Sequence, residues 1–290
     1  MRIADYQVGE LLGKGRFGEV WLVMHPESGV RYACKTAEGD AHRKLLRQEA
    51  AMQREITSGS RTQWDGVHSI FPAFRELIEG EDQTFLVMEY VEGIPLSGRL
   101  HEKRADVMTP GQGELLEAEL FSIAVQLAEG MKALHERLEP VLYRDLKPEH
   151  VILCGGDDVR LLDLGCACRQ SEAWKSKAGS RGYAAPEQLD EDIYGQGVYS
   201  DIYSFGKLLE AMGAGGHANG DWRRLTAWCT VKNPADRIPC MRLVLRELRR
   251  MQQGKRKVQP HKRKAQPEWI RFRVEKSICS RGVYVGDGLC

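Results

Sequence analysis

Two acidic loops carry the strongest chemical signal in this sequence. Residues 143–150 read Tyr-Arg-Asp-Leu-Lys-Pro-Glu-His, and an Asp-Leu-Gly triplet begins at Asp163, eighteen residues after Asp145. In phosphoryl transfer, one such carboxylate orients the attacking hydroxyl group while the other holds a metal ion on the phosphates. The two loops therefore predict a phosphotransferase. His150 departs from the pattern, because the same chemistry favours an amide side chain at that position.

A glycine-rich run near the N-terminus offers a place for phosphate groups. Residues 13–20 read Gly-Lys-Gly-Arg-Phe-Gly-Glu-Val, and the missing side chains of Gly13, Gly15 and Gly18 let backbone N–H groups approach phosphate oxygens. A plain hairpin turn is at least as common an origin of such a run. A dinucleotide site uses the same spacing but requires a helix after the glycines, whereas this run lies between two predicted strands.

Lys35 ends a predicted strand seventeen residues past Gly18. A lysine at a strand end is usually only solvated, but beside a phosphate loop it can neutralise phosphate charge if an acid on the next helix holds it. Glu49 and Glu55 both lie on that predicted helix. Glu49 falls inside the apolar stripe of the helix and Glu55 close to its end, so we predict Glu49 as the partner.

Residue patterns predict the elements that must position these side chains. β-branched, aromatic and apolar residues stand between turn signals in several short segments. The predicted strands lie within residues 6–36 and at 73–79, 84–90, 151–154 and 159–162. Helical spacing of apolar residues recurs in longer segments. The predicted helices lie at 41–57, 114–137, 199–212, 221–230 and 239–252. The chain therefore begins rich in strands and continues mainly helical.

The composition argues against several classes of protein. The 290 residues carry a net charge of +1, and they contain no apolar run of the roughly 18 residues that a membrane helix needs. We therefore expect a soluble, cytoplasmic protein with no membrane partner, and a nucleic-acid partner is not favoured. Positive charge is concentrated in residues 255–264. A solvated linker is the preferred interpretation of that stretch. Binding to an acidic surface or to nucleic acid is the next alternative, and a nuclear signal is the last.

The order of the motifs resembles that of the protein kinases. The matching features are Lys35, the strand Leu86–Tyr90, the Tyr-Arg-Asp loop, Asp163-Leu164-Gly165, Ala185-Pro186-Glu187, Asp201 and Arg237. The resemblance covers about residues 6–252 and is greatest to bacterial members of the eukaryotic-like Ser/Thr kinases. It implies an α+β bilobal fold. An antiparallel-sheet N-lobe with one helix would span 1–91 and a mainly helical C-lobe 92–253. A basic linker at 254–268 and a tail at 269–290, patterned like a short hairpin, would follow.

The resemblance also implies a role for each catalytic residue. Asp145 would accept the proton of the substrate hydroxyl, and Lys147 would neutralise the transferred γ-phosphoryl group. Lys35, held by Glu49, would bind the phosphates of ATP, and Asp163 would bind Mg²⁺. A lysine two residues after the catalytic acid is typical of Ser/Thr protein kinases. The implied cofactors are thus ATP and Mg²⁺, and the implied partner is a protein substrate.

The remaining implied positions surround the nucleotide or support the loops. The implied ATP pocket consists of Gly13, Gly15 and Gly18 over the phosphates, Leu12, Val20 and Ala33 above the adenine, Ile152 below it, Met88 behind it, and backbone groups of Glu89 and Val91. Core packing explains the apolar members equally well. The implied structural and regulatory residues are Glu187 paired with Arg237, Asp201 under the catalytic loop, Ser180 over Asp145, Arg144, and the candidate phosphorylation sites Ser171 and Ser176.

His150 stands where the family carries an asparagine whose oxygen binds a second Mg²⁺. A ring nitrogen is a poorer Mg²⁺ ligand than oxygen. One interpretation is an active enzyme with a weakened second metal site that favours Mn²⁺; the alternative is an ATP-binding pseudokinase that acts as a scaffold or regulator. We favour the enzyme because the lysines and acids named above are all present. A small-molecule kinase is disfavoured, since it normally lacks the Lys-Pro and Ala-Pro-Glu motifs found here.

One further departure concerns the C-lobe. Only 36 residues separate Asp201 from Arg237, fewer than is usual in the family. The helix that often docks substrates is therefore expected to be trimmed or absent. The tail at 269–290 is expected either to pack on the C-lobe or to mediate self-association.

Overall fold

The first part of the chain forms one antiparallel sheet with a helix against it. The computed structural model describes residues 2–3, 5–15, 18–58, 70–105, 112–155, 158–189, 195–213 and 220–254. The strands of this sheet are β1 (Arg2–Ile3), β2 (Tyr6–Gly15), β3 (Gly18–Met24), β4 (Arg31–Glu38), β5 (Phe74–Glu79) and β6 (Gln83–Glu89). Their order is β1-β2-β3-β4-β6-β5, with every neighbouring pair antiparallel.

Helix α1 (Asp40–Thr57) packs on this sheet through one face. Leu46, Ala50 and Ile56 are buried at helical spacing on that face, which is the pattern of an amphipathic helix. Glu49 and Gln53 are buried on the same face. A carboxylate buried among apolar groups requires a charged partner, so the helix face itself marks Glu49 as a residue with a specific contact.

The second part of the chain is mainly helical. Its helices are α2 (Leu96–Ala105), α3 (Gln112–His135), α4 (Pro186–Leu189), α5 (Val198–Gly213), α6 (Gly220–Cys229) and α7 (Met241–Gly254). Short strand pairs lie between them, formed by β7 (Ile94–Pro95), β8 (Val141–Leu142), β9 (Val151–Leu153), β10 (Val159–Leu161) and β11 (Cys168–Arg169). Within the described residues, no helix is both long and apolar enough to cross a membrane.

One large apolar core holds the helical part together. Leu127 and Met131 of α3, Phe205 of α5 and Leu248 of α7 are fully buried in it. The same cluster includes Tyr143 at the start of the catalytic loop. The loop thus begins inside this apolar core, and close packing of that kind restricts its movement.

The architecture confirms the predicted α+β bilobal fold, and it adds elements that were not predicted, among them α2, α4, β7, β8 and β11. Helix α2 was not predicted, because Gly98 and the charged residues around it give that segment little apolar periodicity. The predicted linker was expected to begin at Gly254, but α7 continues through that residue. The rest of the linker and the predicted tail hairpin lie outside the described residues. Only residues 214–219 separate α5 from α6, which leaves room for about one and a half helical turns.

Candidate active site

Lys35 lies at the meeting point of the sheet, α1 and the Asp163 loop. Its Nζ is 2.8 and 2.9 Å from the two carboxylate oxygens of Glu49 and 3.0 Å from Asp163 Oδ1. Burial opposes the charge of this ammonium group, but the two carboxylates outweigh burial and raise the pKa of Lys35. Lys35 therefore stays protonated over the physiological pH range. Of the two acids that the sequence offered as its partner, Glu49 is the one in contact.

Glu55, the other candidate, takes part in a separate ion-pair network. Its carboxylate accepts hydrogen bonds from Arg137 at 3.1 Å and from Arg169 at 2.6 Å. Arg169 also donates to Glu139 at 2.7 Å, and Glu139 accepts a short hydrogen bond from Ser171. This network joins the end of α1 to the segment that follows Asp163. Ser171 takes part in the network through Glu139, and its side chain is exposed.

The glycine run covers the end of β2 and the start of β3. Gly15 pairs with Gly18 across this hairpin. Gly18 has φ 157°, and a Cβ there would lie 1.7 Å from the carbonyl oxygen of Thr36 in β4. A Cβ on Gly13 would meet nothing within 4 Å. Gly18 is thus required by the close approach of β4, while the space over Gly13 is open to a ligand.

Most of the residues expected around adenine lie on strands β2, β3, β4 and β6 of the sheet and on β9. Val20 pairs with Lys35, and Ala33 pairs with Met88. Ile152 of β9 is buried, whereas Leu12 is 39% exposed. The Met88 sulfur is 3.5 Å from the side-chain nitrogen of Gln53, on the buried face of α1. These apolar side chains thus come from both lobes.

The connecting segment, which joins β6 to β7, is held through the side chain of Glu89 at the end of β6. Its carboxylate accepts hydrogen bonds from the backbone N–H of Ala73, at 2.9 Å, and from Arg160, in a short contact. The backbone N–H of Glu89 donates to the Ala73 carbonyl at 2.9 Å, so a hydrogen bond from Glu89 to adenine would have to use its carbonyl. Val91 follows in the same half-buried segment. Arg160 was not among the predicted site residues, because a single arginine in a short strand belongs to no motif.

Asp145 projects from the loop between β8 and β9, and its carboxylate is only half satisfied. Lys147 Nζ lies 3.0 Å from Asp145 Oδ2 and donates to Ser180 Oγ at 2.8 Å. Asp145 Oδ1 is buried and has no hydrogen-bond partner among the described residues. A buried carboxylate oxygen without a partner is costly for the fold. The Asp145 carboxylate therefore keeps unused capacity to accept a hydrogen bond.

Asp201 of α5 holds this loop from below. It accepts hydrogen bonds from the backbone N–H groups of Arg144, at 2.7 Å, and Tyr143, at 2.8 Å. Arg144 has φ 67°, a conformation that is strained for a residue other than glycine. His135, at the end of α3, places Nε2 2.9 Å from the same carboxylate. His135 was not predicted, because one histidine at a helix end carries no signal beyond a helix cap.

Glu187 and Arg237 form a fully buried ion pair. The two distances between the guanidinium nitrogens and the carboxylate oxygens are 2.6 and 3.1 Å, and both side chains are 0% exposed. Ser200 donates to the same carboxylate at 3.0 Å. The pair joins α4 to the residues that precede α7.

The Arg144 side chain contacts neutral groups of the segment that follows Asp163. Its guanidinium donates to the carbonyl of Cys166 at 2.7 Å and to the carbonyl and hydroxyl of Ser176 at 3.2 and 3.3 Å. Gln196 lies 3.5 Å from the same group. Ser176, one of the two candidate phosphorylation sites, thus already lies at the arginine that a phosphate would use.

His150 takes a defined orientation between the two acids. Its Nδ1 is 3.0 Å from the backbone carbonyl of Asp145 and 3.2 Å from the Tyr143 hydroxyl. Its Nε2 is 3.8 Å from Asp163 Oδ2. Burial, with a contribution from Lys147, lowers the pKa of His150 despite the two carboxylates, so the imidazole is neutral at pH 7. Burial raises the pKa of Tyr143, which keeps its proton.

Asp163 fits a hard divalent cation that also binds phosphate. Burial would raise its pKa, but Lys35 and the backbone N–H of Gly165 lower it, so the group is an anion at neutral pH. Oδ1 is used by Lys35 and Gly165, both at 3.0 Å, while Oδ2 lies on the His150 side. The described residues contain no group of three or more His, Cys, Asp or Glu side chains that could hold a metal. Phosphate oxygens would complete such a site, as is usual for Mg²⁺.

Comparison with known proteins gives one consistent result. The profile of the family described as "Protein kinase domain" matches residues 6–219. Among curated relatives, CBL-interacting protein kinase 21 of Oryza sativa subsp. japonica is 29% identical over 82% of this chain and 43% of its own length. Aurora kinase of Eremothecium gossypii is 28% identical over 72% of this chain and 52% of its own length.

A third relative agrees with these two. SNF1-related protein kinase catalytic subunit alpha KIN12 of Arabidopsis thaliana is 30% identical over 72% of this chain and 39% of its own length. The chain thus spans about half the length, or less, of the relatives named here.

Proposed function

Because this chain belongs to the protein kinase family, we propose that it transfers the γ-phosphoryl group of ATP to serine or threonine hydroxyls of a protein substrate. The observation that carries the proposal is the half-satisfied carboxylate of Asp145. Its free oxygen is placed to accept a hydroxyl hydrogen, and its other oxygen is held by Lys147, which also contacts Ser180. Lys147 is the feature typical of Ser/Thr kinases, and a relative named serine/threonine-protein kinase PEPKR2, from Arabidopsis thaliana, is 32% identical and supports it.

The proposed reaction divides the work between the two acids and the two lysines. Asp145 orients the substrate hydroxyl and accepts its proton as the oxygen attacks the γ-phosphorus, and the bond to the β,γ-bridging oxygen breaks. Lys147 neutralises charge on the transferred group. Lys35, kept protonated by Glu49 and Asp163, pairs with the α- and β-phosphates. When bound, Mg²⁺ would supply charge neutralisation across the β- and γ-phosphates, and Asp163 is the residue that would hold it.

The nucleotide is proposed to bind between the two lobes. Gly13, Gly15 and Gly18 would cover the phosphates, and the adenine would lie between the apolar residues of β2–β4 and Ile152. The proposed boundary of the lobes is residue 91, between β6 and β7, with residues 92–253 as the C-lobe. The short contact between Arg160 and Glu89 supports a fixed connecting segment at that boundary.

One observation favours a second candidate function, an ATP-binding pseudokinase. His150 presents a ring nitrogen to Asp163, where the reaction would use an amide oxygen. A site that binds nucleotide without turnover would need Lys35 and Asp163 but not the free oxygen of Asp145. The two functions therefore differ in what they predict for Asp145→Asn.

The experiment measures phosphate transfer from labelled ATP to a generic serine- and threonine-containing protein, with Mg²⁺ and separately with Mn²⁺. We expect transfer by the wild type and a loss of roughly 10²- to 10⁴-fold in Asp145→Asn, with unchanged nucleotide affinity. Asp158→Asn, the same change at an exposed loop residue, is the matched control and should keep full activity. Nucleotide binding by the wild type without any transfer, under both metals, would establish the pseudokinase instead.

A further inference from the structure

The two unusual residues of the catalytic loop contact one another. Tyr143 stands where kinases usually carry histidine, and His150 where they usually carry asparagine. In the structure, the Tyr143 hydroxyl lies 3.2 Å from His150 Nδ1 and also makes a short hydrogen bond to the carbonyl of Leu162. The two departures thus form one local arrangement.

This arrangement determines which ring nitrogen of His150 carries the hydrogen. A tyrosine hydroxyl has one hydrogen, and that of Tyr143 is donated to the Leu162 carbonyl, which can only accept. The Tyr143 oxygen therefore faces Nδ1 as an acceptor. The backbone carbonyl of Asp145, 3.0 Å from Nδ1, is an acceptor as well. Because both neighbours accept, Nδ1 must donate, and in a neutral imidazole the other nitrogen then has a free lone pair.

The nitrogen with the lone pair faces the metal-binding acid. Nε2 lies 3.8 Å from Asp163 Oδ2, which is too long for a hydrogen bond. Two atoms that each bind one ion at about 2.1 Å can be up to about 4.2 Å apart, so the observed distance is compatible with an ion shared between them. A carbonyl that orients the ring from the far nitrogen is the usual support of a metal-binding histidine.

We propose that His150 binds metal through Nε2 and that, together with Asp163, it makes this position selective for a first-row transition-metal dication over Mg²⁺. Imidazole nitrogen suits Zn²⁺, Fe²⁺ and Ni²⁺, and Mn²⁺ is the first-row ion that also favours the carboxylate and phosphate oxygens of this site, whereas Mg²⁺ prefers an all-oxygen shell. The inference rests on the proposed function only in that the site is taken to bind ATP with a divalent cation; it does not require turnover.

The test is pulsed electron paramagnetic resonance of Mn²⁺ bound to the full chain with the non-hydrolysable analogue AMP-PCP. We expect a ¹⁴N coupling to Mn²⁺ that changes to a ¹⁵N coupling when the histidines are ¹⁵N-labelled. The coupling should disappear in His150→Asn and persist in His42→Asn, a control at an exposed position of α1. Labelling of the wild type alone assigns the nitrogen to histidine, so the test stands even if His150→Asn does not fold.

A calorimetric titration of the same complexes supplies a second readout. The ratio of the Mg²⁺ to the Mn²⁺ dissociation constant should fall roughly tenfold in His150→Asn relative to the wild type. Mn²⁺ binding that depends on Asp163 but shows no histidine coupling would overturn this inference and leave the proposed kinase function intact. Histidine coupling in a chain that transfers no phosphate would support the inference while the proposed function fails.

Discussion

The buried pair of Glu187 and Arg237 allows the sharpest prediction about stability. Glu187→Gln keeps the size of the side chain and removes its charge. The guanidinium of Arg237 is 0% exposed, so its charge would remain buried without a counter-ion. The amide also loses one of the two hydrogen bonds, at 2.6 and 3.1 Å, because its NH₂ group cannot accept.

The magnitude follows from these two losses. A hydrogen bond to a charged group contributes about 1.5–3 kcal/mol, and breaking a buried ion pair by removing one partner costs about 3–5 kcal/mol in total. Backbone carbonyls of Tyr199, Val231 and Lys232 still accept from Arg237, so we expect the lower half of that range. About 3–4 kcal/mol is a large fraction of the 5–15 kcal/mol that a typical protein has.

The assay is urea denaturation of the wild type and three variants at one pH. Ser200→Ala removes a single hydrogen bond to the same carboxylate, at 3.0 Å, and should cost about 1 kcal/mol. Glu136→Gln is the control, because Glu136 pairs with Arg242 at 2.9 Å on the surface, and such pairs contribute about 0–1 kcal/mol. A Glu187→Gln variant no less stable than Glu136→Gln would refute the reasoning.

Three further outcomes are expected. Gly206→Ala in α5 should destabilise the protein by about 1–3 kcal/mol in thermal unfolding, since its Cβ would lie 2.5 Å from Cys229 Cβ. Gly98→Ala in α2, where the nearest atom is 3.8 Å away, should instead stabilise by about 0.5–1 kcal/mol, and a loss there would count against the helix. Hydrogen bonds, of which the one from Arg47 has the largest effect, lower the pKa of Glu79 to about 2. The contribution of Glu79 to the free energy of unfolding is therefore complete above its ordinary pKa of 4.5, and it is lost as the pH falls through 2. The free energy of unfolding, measured from pH 5 to 2, should fall less steeply in Glu79→Gln than in the wild type. An equal slope in the two proteins would contradict this.

The sequence predicts the elements whose patterns are local. Helix α1 and its buried face follow from apolar spacing, and that spacing also singled out Glu49 as the residue that contacts Lys35. The same spacing does not predict helix α2, because its buried apolar residue Leu96 is followed by Gly98 and by charged residues. Packing against the C-lobe, rather than its own periodicity, accounts for that helix.

Contacts across long sequence distances are predictable only where a motif marks both ends. Lys35 and Asp163 are 128 residues apart and each begins or ends a motif, so their proximity could be expected. His135 beside Asp201 and Arg160 beside Glu89 belong to no motif, and neither contact was expected. In both, a charged or titratable group supports a residue of the site from behind, and a single sequence shows no spacing for such contacts.

Tyr143 and His150 show why separate departures must be interpreted together. Taken singly, Tyr143 is a buried aromatic residue of the C-lobe core and His150 a weakened metal ligand. Their contact changes both interpretations, because the tyrosine hydroxyl and the Asp145 carbonyl leave Nδ1 no role except that of donor. A histidine whose free nitrogen is turned toward Asp163 is a ligand for a different class of ion, not a poorer copy of asparagine. The loop that departs most from the family pattern is therefore the place where this chain's metal preference is expected to differ.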